Sequence, residues 1–254
     1  MSNIIQSVWI GDALSKMEQL SIQSFRGFGH EYHLYTYGTV KNIPEGTVVK
    51  DGNEIVPAGE IFRYKNGSVS AFSNLFRFEL LHQKGGYWAD TDLICVKPPP
   101  LTLRPNDEYL FSSEPDRSYS PKRIVNAGLI KIPKNSIVAL EGVEIQKKQK
   151  KLILAGNVAW SSGPKTVQHL VRKYNLTEYV LPWQGICSCH WSDVRSLFDP
   201  TLKFNSKVIQ QYNKIPPEMV GIHLWNEIWR RNKIDKNDIF HSDSLYEVLK
   251  KKHL

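Results

Sequence analysis

The chain has 254 residues, with 33 Lys plus Arg against 25 Asp plus Glu, so it is long enough to bury about 70–75% of its unfolded surface without a covalent staple. Three cysteines are too few and too odd in number for a disulfide framework, no stretch approaches the roughly 18 apolar residues of a spanning helix, and the start "MSNIIQSVWIG" lacks a signal-peptide pattern. A soluble, cytoplasmic chain is expected, and its formal charge of +8 leaves polyanions, phosphorylated ligands and peripheral contact with the inner face of an anionic membrane open.

Residues 4–10, "IIQSVWI", and 31–37, "EYHLYTY", are apolar and β-branched runs ended by glycine, and both read as strands. The segment 14–25 between them reads as a helix, so the first forty residues form a β-α-β unit of an α/β fold. Residues 39–67 are broken by Pro44, Gly46, Gly52, Pro57, Gly59 and Gly67, and read as an irregular excursion. In 68–86, Phe72, Leu75, Phe76 and Leu80 recur at helical spacing; Gly85 and Gly86 then stop the helix rather than cradle phosphate, since no Walker pattern follows them.

The stretch 85–96, "GGYWADTDLICV", reads as strand and carries Asp90 and Asp92 one residue apart. At a strand end two such acids can converge on one point and offer hard oxygen ligands to a divalent cation. Asp-x-Asp alone is a weak signal, because 11 Asp in 254 residues give about 0.5 such triplets by chance. Downstream, "KPPP" at 97–100 is a turn or extended piece, 123–132 a strand, 136–151 a helix, and "SSGP" at 161–164 opens a helix running to about Tyr174. Pro182 and Pro200 bracket a loop-rich region, 221–231 is a strand running into a turn, and 242–252 is a closing helix. No linker or repeat divides the chain, which reads as one domain over 1–254.

"FSNLFRFELLHQKGGYWADTDLICVKP" at 72–98 resembles the Asp-x-Asp region of glycosyltransferase family 32 and of its capsule-synthesis relatives, and more distantly of the clostridial glucosylating toxins. "VWIG" at 8–11 and "HLWNEIW" at 223–229 extend the resemblance toward both ends. It implies a GT-A type nucleotide-sugar-binding fold, a mixed central sheet flanked by helices. The implied activity is a metal-dependent, retaining transfer of a hexose from a nucleotide sugar, UDP-linked by expectation, to a glycan or lipid-linked saccharide in capsule or surface polysaccharide assembly.

Residue by residue, the resemblance implies that Trp9 stacks on the base, that Arg77 meets the donor sugar or its phosphate, and that Ser73, Asn74 and Trp88 line the same pocket. Asp90 and Asp92 would hold Mn²⁺ or Mg²⁺ together with His223, Asn126 would lie near the sugar, and Trp225 with Asn226 would sit on the closing loop. Asn74 departs from the family's Ser-Asp-x-x-Arg, replacing an acceptor-only carboxylate with an amide that also donates. The chemistry is coherent, since a leaving diphosphate develops negative charge that a cation and basic side chains stabilise.

Other readings are weaker. "CSCH" at 187–190 lacks the second ligand pair of a structural zinc site, and no adjacent Asp pair supports a phosphatase. No nucleic-acid motif accompanies the charge, whose surplus is concentrated in "QKKQKK" and "KKHL" and reads as solvated helix faces. A non-catalytic nucleotide-sugar or polyanion binder is the alternative function. Trp229, at i+4 from Trp225, reads as a packed helical face, and Glu227 as an ordinary polar residue of the turn or helix.

Overall fold

The computed structural model describes residues 4–98, 101–102, 104, 107–120, 124–157, 163–202, 214–215 and 217–254. Strand β1 (Ile4–Val8) leads into helix α1 (Lys16–Gly27) and strand β2 (Glu31–Thr36). The first strand is shorter than 4–10 because the backbone turns away at Trp9, whose N–H still donates to Tyr35 O at 2.9 Å. Helix α1 starts later than residue 14 because Ser15 and Glu18 form a reciprocal capping box that fixes its first turn.

The Pro- and Gly-rich excursion holds a strand that its composition hides, β3 (Val48–Asp51), paired in parallel with β2. Helix α2 (Ser70–Lys84) then stops at Gly85, whose φ of 70° suits glycine. A Cβ at Gly85 would come within 2.5 Å of the Lys134 backbone.

The 85–96 stretch is not one strand. It divides into β4 (Gly86–Ala89) and β5 (Leu93–Cys95), which belong to different sheets, and the three residues Asp90–Thr91–Asp92 form the link. Strand β6 (Leu110–Glu114) follows; its "LFSSE" sequence gives no alternating pattern, and it was not anticipated. Strand β7 (Ile124–Ile132) and helices α3 (Ile137–Leu154) and α4 (Gly163–Lys173) match the expected segments to within a few residues; Ser161 and Ser162 of "SSGP" lie outside the described residues. Strand β8 (Gly221–His223), helix α5 (Asn226–Arg231) and helix α6 (Leu245–His253) complete the order.

Six strands form a mixed sheet in the order β3-β2-β1-β4-β7-β6, in which β7 alone runs against the others. The expected class, α/β with a mixed central sheet flanked by helices, is therefore observed. Alternation sorts the core: Ile5, Tyr87 and Leu129 pack on one face with Ile22 and Phe25 of α1, while Val8, Trp88 and Ile130 pack on the other with Phe72, Leu75 and Phe76 of α2. A third cluster gathers Ile94 and Ile222 of the small β5-β8 sheet with Met17, Trp229, Leu245 and Tyr246. The backbone of β5 facing α1 is satisfied by serines, since Ser21 Oγ donates to Leu93 O at 2.7 Å and Ser24 Oγ accepts from Cys95 N at 2.8 Å.

The crossovers leaving β1 and entering β4 lie on opposite faces, so the strand order reverses between these neighbours. In open α/β sheets that point opens a crevice at the carboxyl ends of the strands.

Candidate functional site

A cavity of about 830 Å³ lies at that crevice. Each of the eleven residues singled out from the sequence lines it, although they come from β1, α2, β4, β7 and the segment around β8. The geometry of the two acids differs.

Asp90, at the carboxyl end of β4, receives two hydrogen bonds on one oxygen, from Arg77 Nη2 at 2.7 Å and Trp88 Nε1 at 2.8 Å. Arg77 is 3% exposed, lies 4.8 Å over the Trp88 ring, and gives its other terminal nitrogen to Asn74 Oδ1 at 2.8 Å. Asn74 thus keeps the acceptor function of the carboxylate it replaces and uses it on Arg77. Its close neighbour is the start of α4, where a Cβ on Gly163 would fall 2.4 Å from Asn74 Oδ1. Trp88 is 2% exposed, so its ring belongs chiefly to the core and its indole N–H orients Asp90. Ser73 lines the wall one residue before Asn74.

Asp92 is held by the other sheet. Its Oδ2 accepts from the Asn226 backbone N–H at 2.7 Å, its Oδ1 faces His223 Nε2 at 3.3 Å, and its carbonyl accepts from Leu224 N at 2.9 Å. Strand pairing fixes the approach, because Leu93 and His223 are partners in the β5-β8 ladder. Burial alone would raise the Asp92 pKa, but the facing His223 and the Asn226 amide outweigh it and hold the carboxyl below its ordinary value. Burial disfavours charge on His223 too, yet Asp92, then Asp90 and Glu114, raise its pKa above the ordinary one.

One ligand atom each from Asp90, Asp92 and His223 lie within 4.8 Å of one another, and no other such cluster occurs among the described residues. Two carboxylate oxygens and one imidazole nitrogen fit a Mn²⁺-like cation, with phosphate oxygens completing its shell. His223 Nδ1 is buried and unpartnered, which leaves Nε2 as the nitrogen turned toward the acids.

Trp9 and Trp225 flank this centre. Trp9 follows β1, and the Lys236 ammonium lies 5.7 Å from its ring. Trp225 packs against His223 with ring planes tilted by 40° and centroids 4.2 Å apart and holds a left-handed backbone at φ 60° and ψ 49°. For a bulky side chain this conformation costs about 1–2 kcal/mol and persists only where its surroundings impose it. Asn126 is fixed through Oδ1, which accepts from Ser112 Oγ and from Gly128 N at 3.0 Å. Around it the β6-β7 pairing shifts register, from Phe111↔Ile130 to Ser113↔Val125.

Sequence reading missed several wall residues. Glu114 ends the unanticipated strand β6; Arg230, Lys233 and Lys236 follow the "HLWNEIW" motif and carry no pattern of their own. Lys236 is anchored by an ion pair to Glu18, which is fully buried in the α1 capping box. Gly128 is another: its carbonyl accepts from Asp90 N at 2.8 Å, and a Cβ there would lie 3.6 Å from His223 Cε1. Glu227 is engaged by Arg230 and Arg231, and Trp229 is buried, both as expected. The "CSCH" cysteines are buried apart, Cys187 in one core cluster and Cys189 in another, while His190 Nδ1 contacts Ser192. No described helix is long and apolar enough to cross a membrane.

A family model for "Capsular polysaccharide synthesis protein" matches residues 56–141. The resemblance drawn from 72–98 is borne out over that segment. No curated protein sequence is a match. Among solved structures, a PaToxG glycosyltransferase is similar with TM-score 0.46 and 13% identity, covering 99% of this chain and 87% of that one. The glycosyltransferase GlyE of Streptococcus pneumoniae TIGR4 gives TM-score 0.47 and 14% identity, and the chain spans 63% of its length. The galactosyltransferase LgtC, in complex with donor and acceptor sugar analogues, gives 0.43 and 10%, covering 87% of this chain and 86% of that one. At these values the likenesses carry no functional argument.

Proposed function

We propose that this chain is a metal-dependent glycosyltransferase of GT-A type, built as one domain, that moves a hexose from a nucleotide sugar to a saccharide acceptor. The observation that carries the reading is the convergence of Asp90, Asp92 and His223, from two sheets, at the carboxyl-end crevice between β1 and β4. The capsular family match across this segment supports it.

In this reading the base lies on Trp9, and Asp90, Asp92 and His223 hold Mn²⁺ or Mg²⁺. That ion, when bound, supplies Lewis-acid stabilisation of the departing diphosphate. Arg77 keeps Asp90 aimed. Lys236, Lys233 and Arg230 present positive charge to the phosphates from the closing segment. Asn126, with its carbonyl oxygen engaged by Gly128 N, lines the wall where the sugar is placed. A UDP-linked donor, retention at the anomeric carbon and a glycan or lipid-linked acceptor are the finer expectations of the same reading.

The test is nucleoside-diphosphate release from a panel of UDP- and GDP-sugars, with Mn²⁺ or with chelator. Release of one diphosphate that requires both the metal and Asp92 is expected. Metal-independent release, or none from any donor, would sink the proposal.

A further inference from the structure

Helix α3 carries the basic run "QKKQKK", and Lys147, Lys148 and Lys151 are exposed, as the charge pattern implied. Its apolar residues do not all turn inward. Ile137 and Leu140 near its start and Leu152 and Leu154 at its end are 39–63% exposed. Single apolar residues scattered over a surface are ordinary, but these four share one helix with the lysines, while Val138, Ala139, Val143 and Ile153 fill the core on its other side. At 3.6 residues per turn, Ile137, Leu140, Lys147, Lys148, Lys151 and Leu154 fall within an arc of about 120°, with Leu152 at its edge. They form one outward face roughly 27 Å long, interrupted by a single exposed acid, Glu144.

The charge of this face is only partly neutralised from within. Lys147 pairs with Glu79 and Lys150 with Glu60, but Lys148 and Lys151 have no acid partner among the described residues. Helix α4 extends the same surface, tied to α3 by Gln146 to Thr166 at 2.9 Å and by Lys173 to Glu141 at 2.6 Å. There Lys165, Gln168, His169, Arg172 and Lys173 line a shallow hollow of about 430 Å³, whose basic side chains suit a phosphate group. A dissolved polyanion would engage the cations and leave the leucines in water. An anionic bilayer uses both, because lysines meet the headgroup charge while apolar side chains enter the acyl boundary.

We propose that the outer face of α3 and α4 docks on an anionic lipid bilayer, with α3 lying in the plane of the interface. Ile137, Leu140, Leu152 and Leu154 enter the acyl boundary, and Lys148, Lys151 and Arg172 remain at headgroup level. This surface adjoins the cavity. Helix α4 begins at Gly163, which lines the cavity with Pro164, and Lys150 of α3 lies 5.4 Å over the ring of Phe62, the neighbour of the wall residue Arg63. In the glycosyltransferase reading, on which this consequence alone rests, the cavity rim and a lipid-linked acceptor are held at one surface.

The test is cosedimentation of the native chain with vesicles of phosphatidylcholine alone or mixed with phosphatidylglycerol. Binding is expected only to the mixed vesicles, with release at high salt. Lys148→Ala with Lys151→Ala should weaken it about 30-fold, the size expected for two lysines near an anionic surface. Leu152→Ser with Leu154→Ser should weaken it too, while leaving its salt dependence. Both double variants should melt as the native chain does, since the four side chains are exposed. Equal binding to the two vesicle types, binding indifferent to the lysines, or none at all would overturn the proposal. A dimer that the leucine changes dissociate, or RNA retention that the lysine changes abolish, in a chain that ignores vesicles would assign the face to a second copy or to RNA instead. Vesicle binding is read without donor turnover, so its failure and the failure of the glycosyltransferase reading are separate results.

Discussion

Asp92 has two partners, the Asn226 amide on one oxygen and His223 on the other, and a bound cation has to compete with the proton that the second partner carries. His223 has a pKa raised above 6.5, so its contribution to stability is complete below the unfolded value and is lost as pH rises through the folded one. Asp92 has a depressed pKa, and its contribution is present above the unfolded value near 3.9 and lost as pH falls through the folded one. Without metal, thermal stability should therefore peak between about pH 4 and 6.5 and decline above. With Mn²⁺ the alkaline decline should vanish, because the ion needs neutral imidazole; a melting series at pH 5–8 with and without Mn²⁺ checks both. Asp92→Asn should keep the fold yet lower Mn²⁺-dependent UDP affinity by about 100-fold or more, as loss of a direct ligand predicts, read by calorimetry. At this scale the motif residues were legible because resemblance supplied their positions. Glu114 was not, since a single acid in "LFSSE" has no spacing to mark it.

The packing of α2 on α3 depends on one missing side chain. A Cβ at Gly142 would lie 2.3 Å from Phe78 Cδ1, and Phe78 is fully buried. Gly142→Ala should therefore cost about 1–3 kcal/mol despite the better helix propensity of alanine, lowering Tm by roughly 2–12 °C with UDP affinity unchanged. The closing segment, by contrast, is tied to α1 through Lys236 and Glu18, and Lys236→Ala removes both this tie and a cation over Trp9. Weaker UDP binding with a small loss of Tm is expected; unchanged UDP binding would remove Lys236 from the donor site. The helices were legible because apolar spacing and glycine stops mark them. Strands β3 and β6 are the sheet's edges, where half-exposed or serine-bearing sequence shows no alternation. The division of 85–96 between two sheets was hidden because a turn of three residues, two of them acidic, leaves the apolar run on either side intact.

The whole molecule places its chemistry where two sheets meet. Asp90 stands on the end of the six-stranded sheet, while Asp92 and His223 are ordered by the two-stranded one, so a ligand that binds all three also clamps the sheets together. At 100 times its Kd, UDP with Mn²⁺ should add about 2.7 kcal/mol and raise Tm by roughly 5–11 °C. A shift from Mn²⁺ and UDP no larger than from UDP with chelator would contradict the shared site.

The join has a consequence for biosynthesis. Asp92 and the Asn226 amide that fixes it are 134 residues apart in the chain, and translation at about 5–20 residues per second separates their appearance by roughly 7–27 s. In that interval the ribosome-bound chain can already pair β1, β2, β3 and β4, yet it has no imidazole to place beside the acids. In the proposed reading, donor capture is thereby deferred until strand β8 has emerged, and a nascent chain stalled before Gly221 should neither retain Mn²⁺ nor be protected by UDP from proteolysis.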